Sequence, residues 1–234
     1  MRADLPDPQV IAKVHSVLES MYPGTYSGLL EPSRGNCLDV LVATILSQAT
    51  NDTLSGRAFE SLKAAYPRWE DVLSADPAEV EKHLAVGGLQ REKTKKIRDA
   101  LSKIREDFGE ITLDSLSEVT PQQAFSYLTS LPGVGPKTAA CVIGFGLCKP
   151  AFPVDTHVLR ISRRLGLVPP TATAEKAQAI LSEVVPLQLQ MPLHVLMIRH
   201  GREMCHSRKP RCESCPLREG CAGVASPAQE STHH

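Results

Sequence analysis

The chain has 234 residues, 42% of them hydrophobic and 22% charged, with 26 Lys and Arg against 26 Asp and Glu. That length holds one large or two small domains, and zero formal net charge excludes a protein that coats nucleic acid by bulk charge while permitting a local basic face. No apolar run is long enough to span a bilayer, and the opening MRADLPDPQV has no signal-peptide core, so the sequence predicts a cytoplasmic protein without membrane contact.

Taken in order, Ile11, Val14, Leu18 and Met21 form one helical stripe closed by Pro23-Gly24. Residues 25–36 read as loop. Cys37 to Leu46 is apolar nearly all round, the pattern of a buried central helix. Asn51 or Asp52 is suited to cap a helix running to Tyr66, before Pro67. Asp76-Pro77 is a cap with a first-turn proline, and that helix stops at Gly87-Gly88. Residues 90–107 form a basic helix, with seven cations against two acids over 91–105. Ion pairs at i,i+4 account for part of this charge. Thr120-Pro121 opens another helix, Asp155 caps one through Leu165, Thr173 one through about Val185, and Pro192 to Met204 is the last. No period-two strand stands out. These signals predict an all-α chain of roughly ten helices, with a disordered tail over 222–234.

Two stretches carry the chemistry. The first is Leu131 to His157, LPGVGPKTAACVIGFGLCKPAFPVDTH. Pro132-Gly133-Val134-Gly135 breaks the preceding helix, and Gly133 and Gly135 permit positive φ and close approach of a ligand. Lys137-Thr138 then restarts a helix, whose N-terminus suits a phosphate. The second is the set Cys205, Cys212, Cys215 and Cys221, separated by six, two and five residues. Such crowding reads as metal binding rather than disulfides. A pairwise zinc site more often has two CxxC knuckles, and only Cys212–Cys215 has that form here. Four thiolates in one short loop can instead wrap an iron–sulfur cluster.

LPGVGPKTA, VDTH and the cysteine set together closely resemble the endonuclease III family of helix–hairpin–helix DNA glycosylases. The resemblance covers nearly the whole chain. It implies two helical lobes: a central six-helix barrel with the hairpin over 30–149, and a second lobe, 1–29 with 150–221, bearing the cluster loop. It also implies a monomer acting on double-stranded DNA that contains a damaged base, with one 4Fe-4S cluster held by Cys205, Cys212, Cys215 and Cys221. Lys137 falls on the catalytic lysine of the bifunctional members and Asp155 on the catalytic aspartate. Gly133, Val134, Gly135 and Thr138 fall on the hairpin's DNA grip. Arg208, Lys209 and Arg211, between the first two ligands, form a phosphate clamp.

Leu89, in Gly87-Gly88-Leu89-Gln90, matches a side chain that fills the gap left by an extruded base. Gln48 stands near a second such position. Aligned without gaps, though, Ala49 takes the family's glutamine place and Gln48 comes one residue early. Pro136 also replaces a residue that is basic in many relatives.

The chemistry implied is excision of an oxidised pyrimidine. Lys137 attacks the sugar as the nucleophile. Asp155 offsets the developing positive charge, and β-elimination follows. Two alternatives stand beside it: a monofunctional glycosylase that uses water, and a non-catalytic duplex-binding module.

Overall fold

Seven helix starts among the described residues are written by side-chain caps. The computed structural model describes residues 6–27 and 36–225. Within them the helices are α1 Pro8–Met21, α2 Cys37–Ser47, α3 Asp52–Ala65, α4 Trp69–Ser74, α5 Pro77–Leu84, α6 Gln90–Phe108, α7 Pro121–Ser130, α8 Pro136–Cys141, α9 Thr156–Arg164, α10 Ala174–Val184, α11 Gln190–Glu203 and α12 Ala222–Ala225. No strand occurs among the described residues. Asp7, Asn36, Asn51, Asp76, Thr120, Asp155 and Thr173 each accept a backbone N–H at the start of their helix. Thr120 and Gln123 form a reciprocal capping box. α8 runs on into one turn of π-helix, Val142–Gly146.

The chain divides into two compact units, 30–149 and 1–29 with 150–234. In the first, α2 is the centre. Seven of its eleven residues are buried, and it packs on α3, α6, α8 and the π turn. Leu41 and Ile45 of α2 are fully buried, as are Leu62, Leu84, Ile97, Leu101 and Leu128 of the same unit. Each such side chain contributes about 2 kcal/mol of burial free energy. Two cations close this unit from its loops. Arg98 donates to the carbonyls of Val72, Leu73 and Ala75, and Lys149 to those of Leu116, Ser117 and Val119. Both satisfy orphan carbonyls at the ends of short helical turns.

In the second unit, α11 packs on α1 and α9, and α10 on α9. Its core gathers Ile11, Leu18, Phe152, Val158, Leu193 and Met197, with Cys205 and Cys215 against its edge.

The expected elements differ from these at a few places. α4 has no counterpart in the sequence reading. It has six residues and no side-chain cap, and it is held by Arg98 and by Trp69 Nε1 donating to Asp39, 2.9 Å away. α11 begins two residues before Pro192. Ala222–Ala225 are helical rather than disordered, packed on α9. The remainder of the expected tail, and most of the loop over 25–36, lie outside the described residues.

Candidate functional site

The hairpin of the first unit is built by two conflicting demands on its turn. α7 must stop and α8 must start within five residues, and Pro132 forbids continuation. Val134 N–H closes the turn on the Leu131 carbonyl at 3.2 Å. Gly133 has φ +76°, and a Cβ there would lie 2.8 Å from Lys96 Cγ, so glycine is required twice over. Gly135 precedes α8 in an extended conformation, with Pro136 at the first helical position. Proline there keeps helical φ and removes one N–H from the exposed set.

Gly133 and Gly135 are exposed, Lys137 is half-buried, and Val134 and Thr138 are buried. The last two side chains thus belong to the core, and any contact with a ligand at those positions is made by backbone.

Gln48 follows α2 in extended conformation. Its Oε1 accepts from Lys96 Nζ at 2.9 Å, and the exposed Ala49 beside it has φ +53°. Leu89 is 49% exposed and left-handed, φ +53° and ψ +34°. The basic helix α6 presents far less charge outward than its composition suggests. Lys93 is buried, Lys96 and Arg98 bind inward, and Lys95 and Lys103 pair with Asp99 and Asp107. The i,i+4 pairs and internal bonds account for most of it.

In the second unit, Asp155 caps α9. Its Oδ1 accepts the Val158 N–H at 2.8 Å, and its other oxygen has no partner among the described residues. The segment before it is fixed by buried Phe152 and Val154, the latter donating its N–H to Gln178 Oε1 at 3.2 Å. One oxygen spent on the cap and one left over is an arrangement that allows a structural and a chemical role at once. Thr156 is exposed, and His157 Nδ1 lies 3.0 Å from Arg160 Nη2.

The arginines that follow Asp155 all turn inward. Arg163 donates to the Ala172 carbonyl. Arg160 donates to the carbonyls of Gly201 and Cys205. Arg164 donates to Cys205 Sγ at 3.1 Å and to the carbonyls of His206 and Ser207. By contrast Arg208, Lys209 and Arg211 are exposed, and their charges have no side-chain partner among the described residues.

Cys205, Cys212, Cys215 and Cys221 are free thiols that border one cavity of about 810 Å³, walled by Ile161 and Leu217. Among the described residues no three His, Cys, Asp or Glu converge on a single point, as one metal ion needs. Four thiols that border one space without converging on a point suit a multi-iron group held at its corners. The surroundings fit as well. Cys215 Sγ lies 3.7 Å from His200 Nε2, and the Tyr22 hydroxyl lies 3.1 Å from His200 Nδ1. Burial pushes the His200 pKa down to about 4, so the ring is neutral and carries one N–H. With the Tyr22 hydroxyl donating to Nδ1, that N–H faces the sulfur. Such hydrogen bonds to ligand atoms are what orients a metal site.

The sequence does not single out His200, Lys93 or Lys96. A long cation or a histidine in a helix gives no local signal of where its head goes.

Comparison with known proteins accounts for these features together. Residues 42–187 match the family model of the HhH-GPD superfamily base excision DNA repair protein, and residues 205–221 match the iron–sulfur binding domain of endonuclease III. The second match begins and ends on the outer two of the four cysteines. Endonuclease III of Thermotoga maritima is 36% identical over 182 residues, 78% of this chain and 81% of that protein. Endonuclease III of Rickettsia conorii is 32% identical over 213 residues, 91% and 95% of the two chains. Among solved structures, a trapped endonuclease III–DNA covalent intermediate superposes with a TM-score of 0.79 at 28% identity, covering 94% of this chain and 99% of that one. With the hairpin, the capped aspartate and the cysteine loop each in place, the chain belongs to the HhH-GPD superfamily of base excision DNA repair proteins and carries the iron–sulfur binding domain of endonuclease III.

Proposed function

We propose that the protein is a bifunctional DNA glycosylase and AP lyase of base excision repair, acting in the cytoplasm as a monomer on duplex DNA that holds an oxidised pyrimidine. The observation that carries the reading is Lys137, a half-buried primary amine one residue inside the helix that follows the Gly133–Gly135 turn. The likeness to endonuclease III, including its covalent complex with DNA, supports it.

In this mechanism the Lys137 amine attacks the C1′ carbon of the damaged nucleoside. The C1′–N bond breaks and its electron pair leaves with the base, which takes up a proton. The sugar gains positive charge as that bond weakens, and the Asp155 carboxylate offsets it through the oxygen not used in the cap. Loss of the ring oxygen from C1′ leaves a protonated Schiff base between Lys137 and the sugar. The iminium acidifies C2′, a proton is removed there, and the 3′ phosphate departs by β-elimination. Water then releases the lysine.

The four cysteines hold a 4Fe-4S cluster whose part is structural: bound, it supplies a rigid anchor for a loop with little core of its own. Arg208, Lys209 and Arg211 on that loop bind backbone phosphates.

Borohydride reduction tests the central step. The expected result is a covalent protein–DNA adduct with duplex carrying one oxidised pyrimidine. Base release without a trappable adduct would assign the reaction to water instead.

A further inference from the structure

Lys93 is 2% exposed, yet its ammonium meets no carboxylate among the described residues. Burying a cation without a counter-charge is unfavourable, and methionine would fill the same space without that penalty. Burial, and then the charge of neighbouring Lys96, push the Lys93 pKa down. The side chain's hydrogen bond runs from Nζ to the Gly87 carbonyl, 2.9 Å away. Its backbone makes a second link to the same loop: Lys93 N–H donates to the Leu89 carbonyl, also at 2.9 Å.

Lys93 therefore brackets Gly88 and Leu89 from beneath, by one carbonyl on either side. Between those two carbonyls both residues have positive φ, Gly88 at +68° and Leu89, which is left-handed, at +53°. That conformation is unfavourable for leucine. It leaves an aliphatic side chain half in solvent at the start of α6, with no side-chain cap. Strain of this kind persists only where the surroundings hold it, and it collects at functional positions.

We propose that Lys93 is the positioning residue of the Leu89 loop: by holding the Gly87 carbonyl from the core, it keeps Leu89 left-handed and projecting, ready to enter the base stack. The inference rests on the reading of Leu89 as the side chain that fills the gap of an extruded nucleotide. The plain alternative is that Lys93 caps the Ala85–Gly87 turn for stability, as Arg98 caps the end of α4. The two differ in sign. A stabilising cap loses stability when removed. A positioning lysine, held at a cost to the fold, does not.

The experiment compares Lys93→Met, Leu89→Ala and the double variant as intact, cluster-loaded proteins. Thermal unfolding is measured, along with single-turnover base release from one oxidised pyrimidine in duplex and in single-stranded DNA. Extrusion is needed only in the duplex. Lys93→Met is expected to unfold at the same or a higher temperature. It should release base from duplex on the order of tenfold more slowly, in the range set by a misplaced active-site group, with single-strand release little changed. The double variant should be no slower than Leu89→Ala alone.

A lower unfolding temperature with equal losses on both substrates would make Lys93 a structural cap and overturn the proposal, as would additive losses in the double variant. Normal duplex rates for Leu89→Ala would remove the reading of Leu89 itself. A slow Leu89→Ala beside a normal Lys93→Met would remove only the role of Lys93. Should Lys93→Met not fold, Lys93→Gln, too short to reach Gly87, is judged by the same comparison.

Discussion

Lys96 Nζ donates to Gln48 Oε1 at 2.9 Å, and the stem of the same lysine fills the place a Cβ would take at Gly133. One side chain of α6 thus joins the turn after α2 to the hairpin. An ammonium has donors only, so the amide oxygen of Gln48 must face it and the amide nitrogen is turned away. That nitrogen is then the group Gln48 can offer to a ligand. The charge of Lys96 is spent inside the protein.

A first prediction follows from that spending. Lys96→Met should leave the salt dependence of duplex binding unchanged, because an inward cation releases no DNA counterion. Binding measured over a range of salt concentrations checks it. A slope reduced by about one, as for a lost phosphate contact, would place Lys96 on the DNA.

The cluster loop should behave in the opposite way. Arg208, Lys209 and Arg211 are exposed and without side-chain partners among the described residues, whereas Arg160, Arg163 and Arg164 are consumed by carbonyls and a sulfur. Changing all three exposed cations to Gln should lower the salt slope by about 0.9 for each phosphate they contact. The same titration decides it, and an unaltered slope would mean that the loop does not touch the DNA backbone.

The contrast between these two sets of cations marks where the sequence stops being legible. Helix starts were visible because they are local: Asp76-Pro77, Thr120-Pro121 and Asp155 carry cap and first turn in adjacent residues. The hairpin and the cysteine spacing were visible for the same reason. The destination of a long side chain is set by tertiary packing. The string REKTKKIRDALSKIR therefore reads as a basic face, although Lys93, Lys96 and Arg98 point into the protein. The left-handed Ala49 and Leu89 were likewise invisible, since neither residue type announces positive φ. α4 escaped because six residues without a cap carry too little helical signal, and a partner thirty residues away supplies the rest.

The two halves of the cysteine loop should part company when a ligand is removed. Arg164 grips residues 205–207 through Cys205 Sγ and, independent of any metal, through the carbonyls of His206 and Ser207. Beyond them, Cys212 and its neighbours have short local bonds and mostly exposed side chains. The intact protein should carry about four irons, and Cys212→Ser should lose them. In that variant trypsin should cut after Arg208 and Arg211 far faster than in the parent. Full iron content in Cys212→Ser, or equal cleavage in both proteins, would contradict this.

Lys137 and Asp155 give the sharpest separation of roles. Lys137→Gln should abolish borohydride trapping and strand nicking while DNA affinity stays near normal, because one cation among several phosphate contacts changes binding little. Asp155→Asn keeps an oxygen for the Val158 N–H, and asparagine caps a helix about as well as aspartate, so the variant should unfold at nearly the parent temperature. A neutral amide cannot offset positive charge at the sugar. Base release should therefore slow by on the order of 10²-fold or more, the scale of losing one electrostatic stabiliser. Single-turnover rates on a lesion duplex, read beside thermal unfolding, measure both effects. Near-normal rates in Asp155→Asn would reduce the residue to its cap, and free base released by Lys137→Gln would mean that water, not the lysine, is the nucleophile.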